Sequence, residues 1–160
     1  RHHFQPAWRT FRRGPAGLMP APDEIVLHAT AVTLGLRGLL ILGPSGAGKS
    51  SLALSLMALG CDLVSDDQTV MTTAGGHLFA APPTGLAGRI EARGVGILSA
   101  PFARSAQITL AVDLGQRETE RLPQFREFEC LGARVPLVLG QDSTHFSAAV
   151  LACLRGGRAA

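Results

Sequence analysis

Gly38-Leu39-Leu40-Ile41-Leu42-Gly43-Pro44-Ser45-Gly46-Ala47-Gly48-Lys49-Ser50 is the stretch on which the fold of this chain turns. The run Gly38 to Leu42 reads as a buried strand, and Ser50 to Leu59, free of proline and closed by Gly60, reads as a helix of one strand–turn–helix unit. Between them, Gly43-Pro44-Ser45-Gly46-Ala47-Gly48-Lys49-Ser50 matches GxxxxGK[ST] in full and in the context the pattern requires. Glycines let the backbone come close to an anion. The N–H groups of the turn and of the helix start, where Ser51 follows, carry partial positive charge toward phosphate oxygens. Lys49 is placed to reach β- and γ-phosphates and the Ser50 hydroxyl to ligate Mg²⁺. The expected ligand is therefore Mg-ATP, held by residues 43–51.

Working outward, Asp62 to Ser65 reads as a strand ending in Asp66-Asp67, about 17 residues past Lys49. If the helix crosses back in the usual right-handed way, these acids lie beside the strand Gly38–Leu42. Phosphoryl transfer needs carboxylates there: one to hold Mg²⁺, one to accept the proton of an attacking hydroxyl. A solvated acidic turn has the same signature. In Arg89-Ile90-Glu91-Ala92-Arg93-Gly94-Val95-Gly96, an extended backbone puts Glu91 and Arg93 on one face, a pair suited to metal and phosphate and equally to a surface ion pair. His28 stands mid-strand in Val26-Leu27-His28-Ala29-Thr30, as an active-site group or a structural one.

Composition narrows the class. The 160 residues, 46% hydrophobic, are enough for one sizeable core. The net charge of +3 comes from Arg1, Arg9, Arg12 and Arg13, ahead of any acid; the other eleven basic and twelve acidic residues leave −1. A basic tail on a near-neutral body argues against nucleic-acid binding. Lys49 is the single lysine in a chain where arginine supplies every other cation, which marks a role a guanidinium does not fill. Cys61, Cys130 and Cys153 are odd in number and lack metal-ligand spacing, so free thiols in a reducing cytoplasm are expected. No apolar run reaches the roughly 18 residues of a membrane span.

Residues 1–20, rich in Arg, Pro and Gly, read as a disordered basic leader, with Met19 a candidate start; residues 21–160 form one domain. Ile25 to Val32 reads as a strand joined through Gly35–Arg37 to the strand Gly38–Leu42. A hairpin over Thr69 to Leu78, an element over Ile90 to Leu98, strands at Gln107 to Leu114 and Val135 to Leu139, and a helix over Ser143 to Leu154 follow, with the charged stretch Gln116 to Glu129 as surface.

LHATAV, GPSGAGKS, LVSDD and IEARGVGI, in that order and at these spacings, together resemble the catalytic domain of HPr kinase/phosphorylase over about Ile25 to Leu98. That resemblance implies an α/β fold with a mixed sheet and flanking helices, like that of ATP-dependent phosphoenolpyruvate carboxykinase. It implies a cytoplasmic serine kinase acting on an HPr-like phosphocarrier protein, with Asp66 as the base, Asp67 assisting it and His28 nearby. Ser50, Asp67 and Glu91 would serve Mg²⁺, and Arg93 would contact phosphate. The long members' N-terminal domain has no counterpart in the 24 residues before Ile25. Gln141-Asp142 replaces their arginine-bearing P-G-R-N segment, so the reverse phosphorylase reaction and the usual hexamer fall outside what is implied. Two other readings keep the nucleotide site: a non-catalytic ATP-binding regulatory module and a small-molecule kinase. A homo-oligomer stays open.

Overall fold

Alternating contacts of Leu39-Leu40-Ile41-Leu42 organise the molecule: Leu39 and Ile41 belong to one core, Leu40 and Leu42 to another on the opposite side of the sheet. A computed structural model describes residues 3–4 and 24–160. Its strands are β1 (His3–Phe4), β2 (Glu24–Leu27), β3 (Ala29–Leu34), β4 (Arg37–Leu42), β5 (Asp62–Ser65), β6 (Thr69–Ala74), β7 (His77–Ala81), β8 (Arg89–Ala92), β9 (Gly96–Ser99), β10 (Ala106–Arg117), β11 (Arg126–Cys130) and β12 (Ala133–Gly140). The helices are α1 (Lys49–Ala58) and α2 (Phe146–Gly156). Apart from His3–Phe4, which pairs with Glu127–Phe128, the expected leader lies outside the described residues.

The main sheet runs β1-β11-β12-β10-β4-β3-β5. The 12-residue β10 pairs in parallel with β4 and β12 along most of its length, and at Ala106–Gln107 it pairs antiparallel with β7. Through β7 it carries β6 and β2, so the sheet curls around a core that includes Leu27, Leu40, Leu42, Met71, Leu78 and Phe128. Val32, Leu39, Ile41, Leu63 and Val112 pack on the other side against Leu52 and Leu56 of α1 and Val150 and Leu154 of α2. Fully burying each such aliphatic side chain contributes roughly 1.5–3 kcal/mol. At Gly38 a Cβ would come within 2.5 Å of the Gln107 carbonyl oxygen, so only glycine lets β4 approach β10 this closely.

Four expectations change. The strand Ile25–Val32 breaks at a bend at His28, because β2 pairs with β6 while β3 pairs with β4 and β5. Asp66-Asp67 does not follow a strand beside β4: β3 lies between β4 and β5, antiparallel to both. β4 and β5 therefore run the same way, and both deliver their C-terminal ends to one edge. Residues 93–95 form the turn of a β8–β9 hairpin, so Arg93 is not extended beyond Glu91. Finally, the charged stretch contains a strand, β11, whose Phe128 and Cys130 are buried and which pairs antiparallel with β12. Among the described residues no helix is long and apolar enough to cross a membrane.

Candidate active site

Gly48 adopts a left-handed conformation, φ 99°, open to glycine at little cost, and turns the chain from β4 into α1. The helix start has no side-chain cap and no acid in its first turn, which leaves its amides and positive dipole end to an outside anion. Lys49 is buried, and its Nζ donates to the carbonyls of Gly43 (2.8 Å) and Pro44 (3.1 Å), stapling the turn. Burial lowers the lysine's pKa, while the charges of Asp67 and Asp66 pull it back up.

The two aspartates have different surroundings. Asp66 Oδ1 accepts hydrogen bonds from the hydroxyls of Ser50 (2.7 Å) and Thr30 (3.0 Å), and Oδ2 accepts one from the Glu91 backbone N–H (3.0 Å). Its carboxylate is thus tied to the glycine turn, to β3 and to β8. Asp67 has φ 68°, a conformation few residues other than glycine adopt. Its N–H donates to Thr30 Oγ1 at 3.2 Å, and its side chain, 65% exposed, turns the other way. Asp67 Oδ1 lies 3.1 Å from His28 Nε2, at ion-pair distance but without hydrogen-bond alignment.

A cavity of about 320 Å³ opens over the glycine turn. Ser45, Gly46, Gly48, Lys49, Ser50 and Ser51 line one side; His28, Asp67, Glu91 and Arg93 line the other. Of the expected site residues, Gly43 and Pro44 contribute carbonyls to Lys49, Ala47 closes the turn by donating its N–H to Pro44, and Asp66 sits behind Ser50. Glu91 and Arg93 arrive together because the hairpin packs against α1. Two residues went unassigned in sequence. Leu54 lines the cavity. Thr30, buried within LHATAV, clamps both aspartates.

The available donors here are hard oxygens, from the hydroxyl of Ser50 and the carboxylates of Asp66, Asp67 and Glu91, a set that suits Mg²⁺. Among the described residues no three His, Cys, Asp or Glu side chains gather into a metal cage, and Mg²⁺ at phosphate sites uses one or two carboxylates plus phosphate oxygens. Cys61 and Cys130 are buried, one in each of the two cores. A buried carboxylate outside the cavity lining, Asp113, stands opposite Leu42 where β10 meets the turn. Its Oδ1 accepts the Gly115 N–H at 2.8 Å and its Oδ2 has no partner among the described residues; burial raises its pKa against that one hydrogen bond.

A family model described as HPr Serine kinase C-terminal domain matches residues 21–138. HPr kinase/phosphorylase of Aromatoleum aromaticum is 38% identical over 134 residues, covering 71% of this chain and 41% of the relative. The protein of the same name from Cupriavidus necator is 32% identical over 141 residues, covering 80% of this chain and 43% of the relative. The chain thus matches less than half the length of these relatives. The solved structure of the HPr(Ser) kinase/phosphatase from Coxiella burnetii superposes with a TM-score of 0.69, covering 81% of this chain and 93% of that one at 24% identity, a likeness of fold.

Proposed function

Because the chain belongs to the HPr serine kinase C-terminal domain family, we propose that it transfers the γ-phosphoryl group of Mg-ATP to a serine hydroxyl of an HPr-like phosphocarrier protein. Residues 43–51 act as a P-loop within a carboxykinase-like sheet: the turn and helix-start amides bind the phosphates, and Lys49 neutralises charge between them. Ser50 would hold Mg²⁺, with Asp66 fixing the Ser50 hydroxyl and Glu91 beside it. When bound, that ion would offset negative charge on the phosphates.

The resemblance implied Asp66 as the base, with Asp67 both assisting it and serving Mg²⁺. We propose the reverse division. Asp66 already accepts three hydrogen bonds, one from the metal-holding serine, whereas Asp67 faces the cavity beside His28. Asp67 accepts the proton of the acceptor serine as its oxygen forms a bond to the γ-phosphorus, the β–γ bridging P–O bond breaks, and ADP leaves. His28 holds Asp67 in place, and Arg93 contacts the transferring group. Most of the acceleration is assigned to positioning and charge stabilisation.

The observation carrying this reading is the convergence of Lys49, the Ser50–Asp66 pair and the His28–Asp67 pair on one cavity. Its test is incubation with γ-labelled ATP and the HPr-like protein of the same organism, followed by mapping of the label. Label on a serine is the expected result; ATP binding without transfer to any acceptor would leave a regulatory module in its place.

A further inference from the structure

The β8–β9 hairpin is a two-stranded sheet separate from the main one. Side chains alternate along each strand, so its two faces differ in character. Ile90 and Ala92, paired with Leu98 and Gly96, are buried on the side that packs against α1. Arg89 and Glu91, paired with Ser99 and Ile97, point outward, and all four are exposed. The turn adds Arg93 and Val95 to that exposed rim. Val95 is 76% and Ile97 66% exposed.

Single apolar residues scattered over a surface need no explanation. Here two β-branched residues share one short ribbon with two arginines that form no ion pair among the described residues. The position matters too. Glu91 and Arg93 line the cavity, and Ile97 is the direct cross-strand partner of Glu91, with Cβ atoms about 5 Å apart in such pairs. A protein that touches this ribbon while presenting a serine to Asp67 must use the outward face, because the other packs against α1.

We infer that the outward face of the hairpin is the docking surface for the acceptor protein, which meets Val95 and Ile97 with an apolar side chain next to its reactive serine and Arg89 with an acidic group. The inference rests on the kinase reading and specifies its partner. Arg93 is left to the phosphate, while Val95, Ile97 and Arg89 do not line the cavity. They set affinity for the protein and not the rate of the chemical step.

The test is steady-state phosphotransfer to the HPr-like phosphocarrier of the same organism by the Val95→Asp, Ile97→Asp and Arg89→Glu variants of the full chain. ATP affinity is followed in parallel by calorimetry. Val95→Asp and Ile97→Asp are expected to raise KM for the phosphocarrier about tenfold and Arg89→Glu several-fold, with ATP affinity and kcat unchanged and Ile97→Leu restoring KM. Unchanged KM in both aspartate variants overturns the docking assignment and leaves the kinase reading intact. Absence of transfer by the unmutated chain overturns both. Sedimentation showing that the chain self-associates and that Ile97→Asp dissociates it gives the face to a second copy and overturns the assignment to an acceptor.

Discussion

Residues 28–93 and residues 106–156 divide the labour of this molecule unequally. Every described residue lining the candidate cavity lies in the first segment, although β10 of the second runs directly alongside β4. The second segment supplies β10, β11, β12 and α2, the frame on which the glycine turn is held. Chemistry in the first segment depends on particular side chains at particular spacings. Support from the second depends on volume and burial, which many sequences meet. Substitutions in the two segments should therefore fail in different ways.

The largest effect is expected in the frame. Phe128 is fully buried in the core enclosed by the curled sheet, and Phe128→Ala should lower stability by about 3–5 kcal/mol in urea titrations. Nucleotide affinity per folded molecule should stay unchanged. A loss of ATP affinity without a loss of stability would break the division. Next comes Lys49→Ala, which removes a charged donor from the turn; calorimetry should show ATP affinity weakened by about 10- to 100-fold, roughly 1.5–3 kcal/mol, with little change in unfolding. Unaltered affinity would remove Lys49 from the phosphate site.

The smallest effect sharpens the border between the segments, at Asp113. Burial raises its folded-state pKa above the unfolded value, so the folded chain binds the extra proton. The group's contribution to stability is full below the unfolded carboxylate pKa and is lost as pH rises through the raised folded value. Asp113→Asn keeps the acceptor for the Gly115 N–H and removes the charge. It should raise stability at neutral pH by about 1 kcal/mol, or roughly 2–4 °C in melting temperature, and flatten the decline from acid to neutral pH. A destabilised Asn variant at neutral pH would contradict a purely structural carboxylate.

What was legible in the sequence follows the same division. The turn from β4 into α1 was readable because glycine spacing, one lysine and a following serine specify a local geometry. The stop at Gly60 and the approach of β5 to the two aspartates were readable for similar local reasons. The order of strands was not: the insertion of β3 between β4 and β5 is a long-range pairing that no spacing encodes. The break at His28 was hidden by a continuous apolar run whose two halves join different parts of the sheet. β11 is hidden in the sequence because Arg126, Glu127 and Glu129 give it the charge of a surface stretch around the buried Phe128 and Cys130. The contrast between Asp66 and Asp67 depends on a left-handed residue and on Thr30, which clamps both. Neither is visible in a pair of adjacent acids.

That contrast is also where the mechanism is most exposed to test. The deciding measurement is label transfer from γ-labelled ATP to the phosphocarrier serine by Asp66→Asn and Asp67→Asn side by side, with Mg-ATP titrated into each by calorimetry. Asp67→Asn should hold Mg-ATP within about twofold of the unmutated chain yet lose roughly 10²–10⁴ in kcat, whereas Asp66→Asn should weaken Mg-ATP binding itself. Near-normal transfer by Asp67→Asn would contradict the assignment of Asp67 as the group that takes the serine proton.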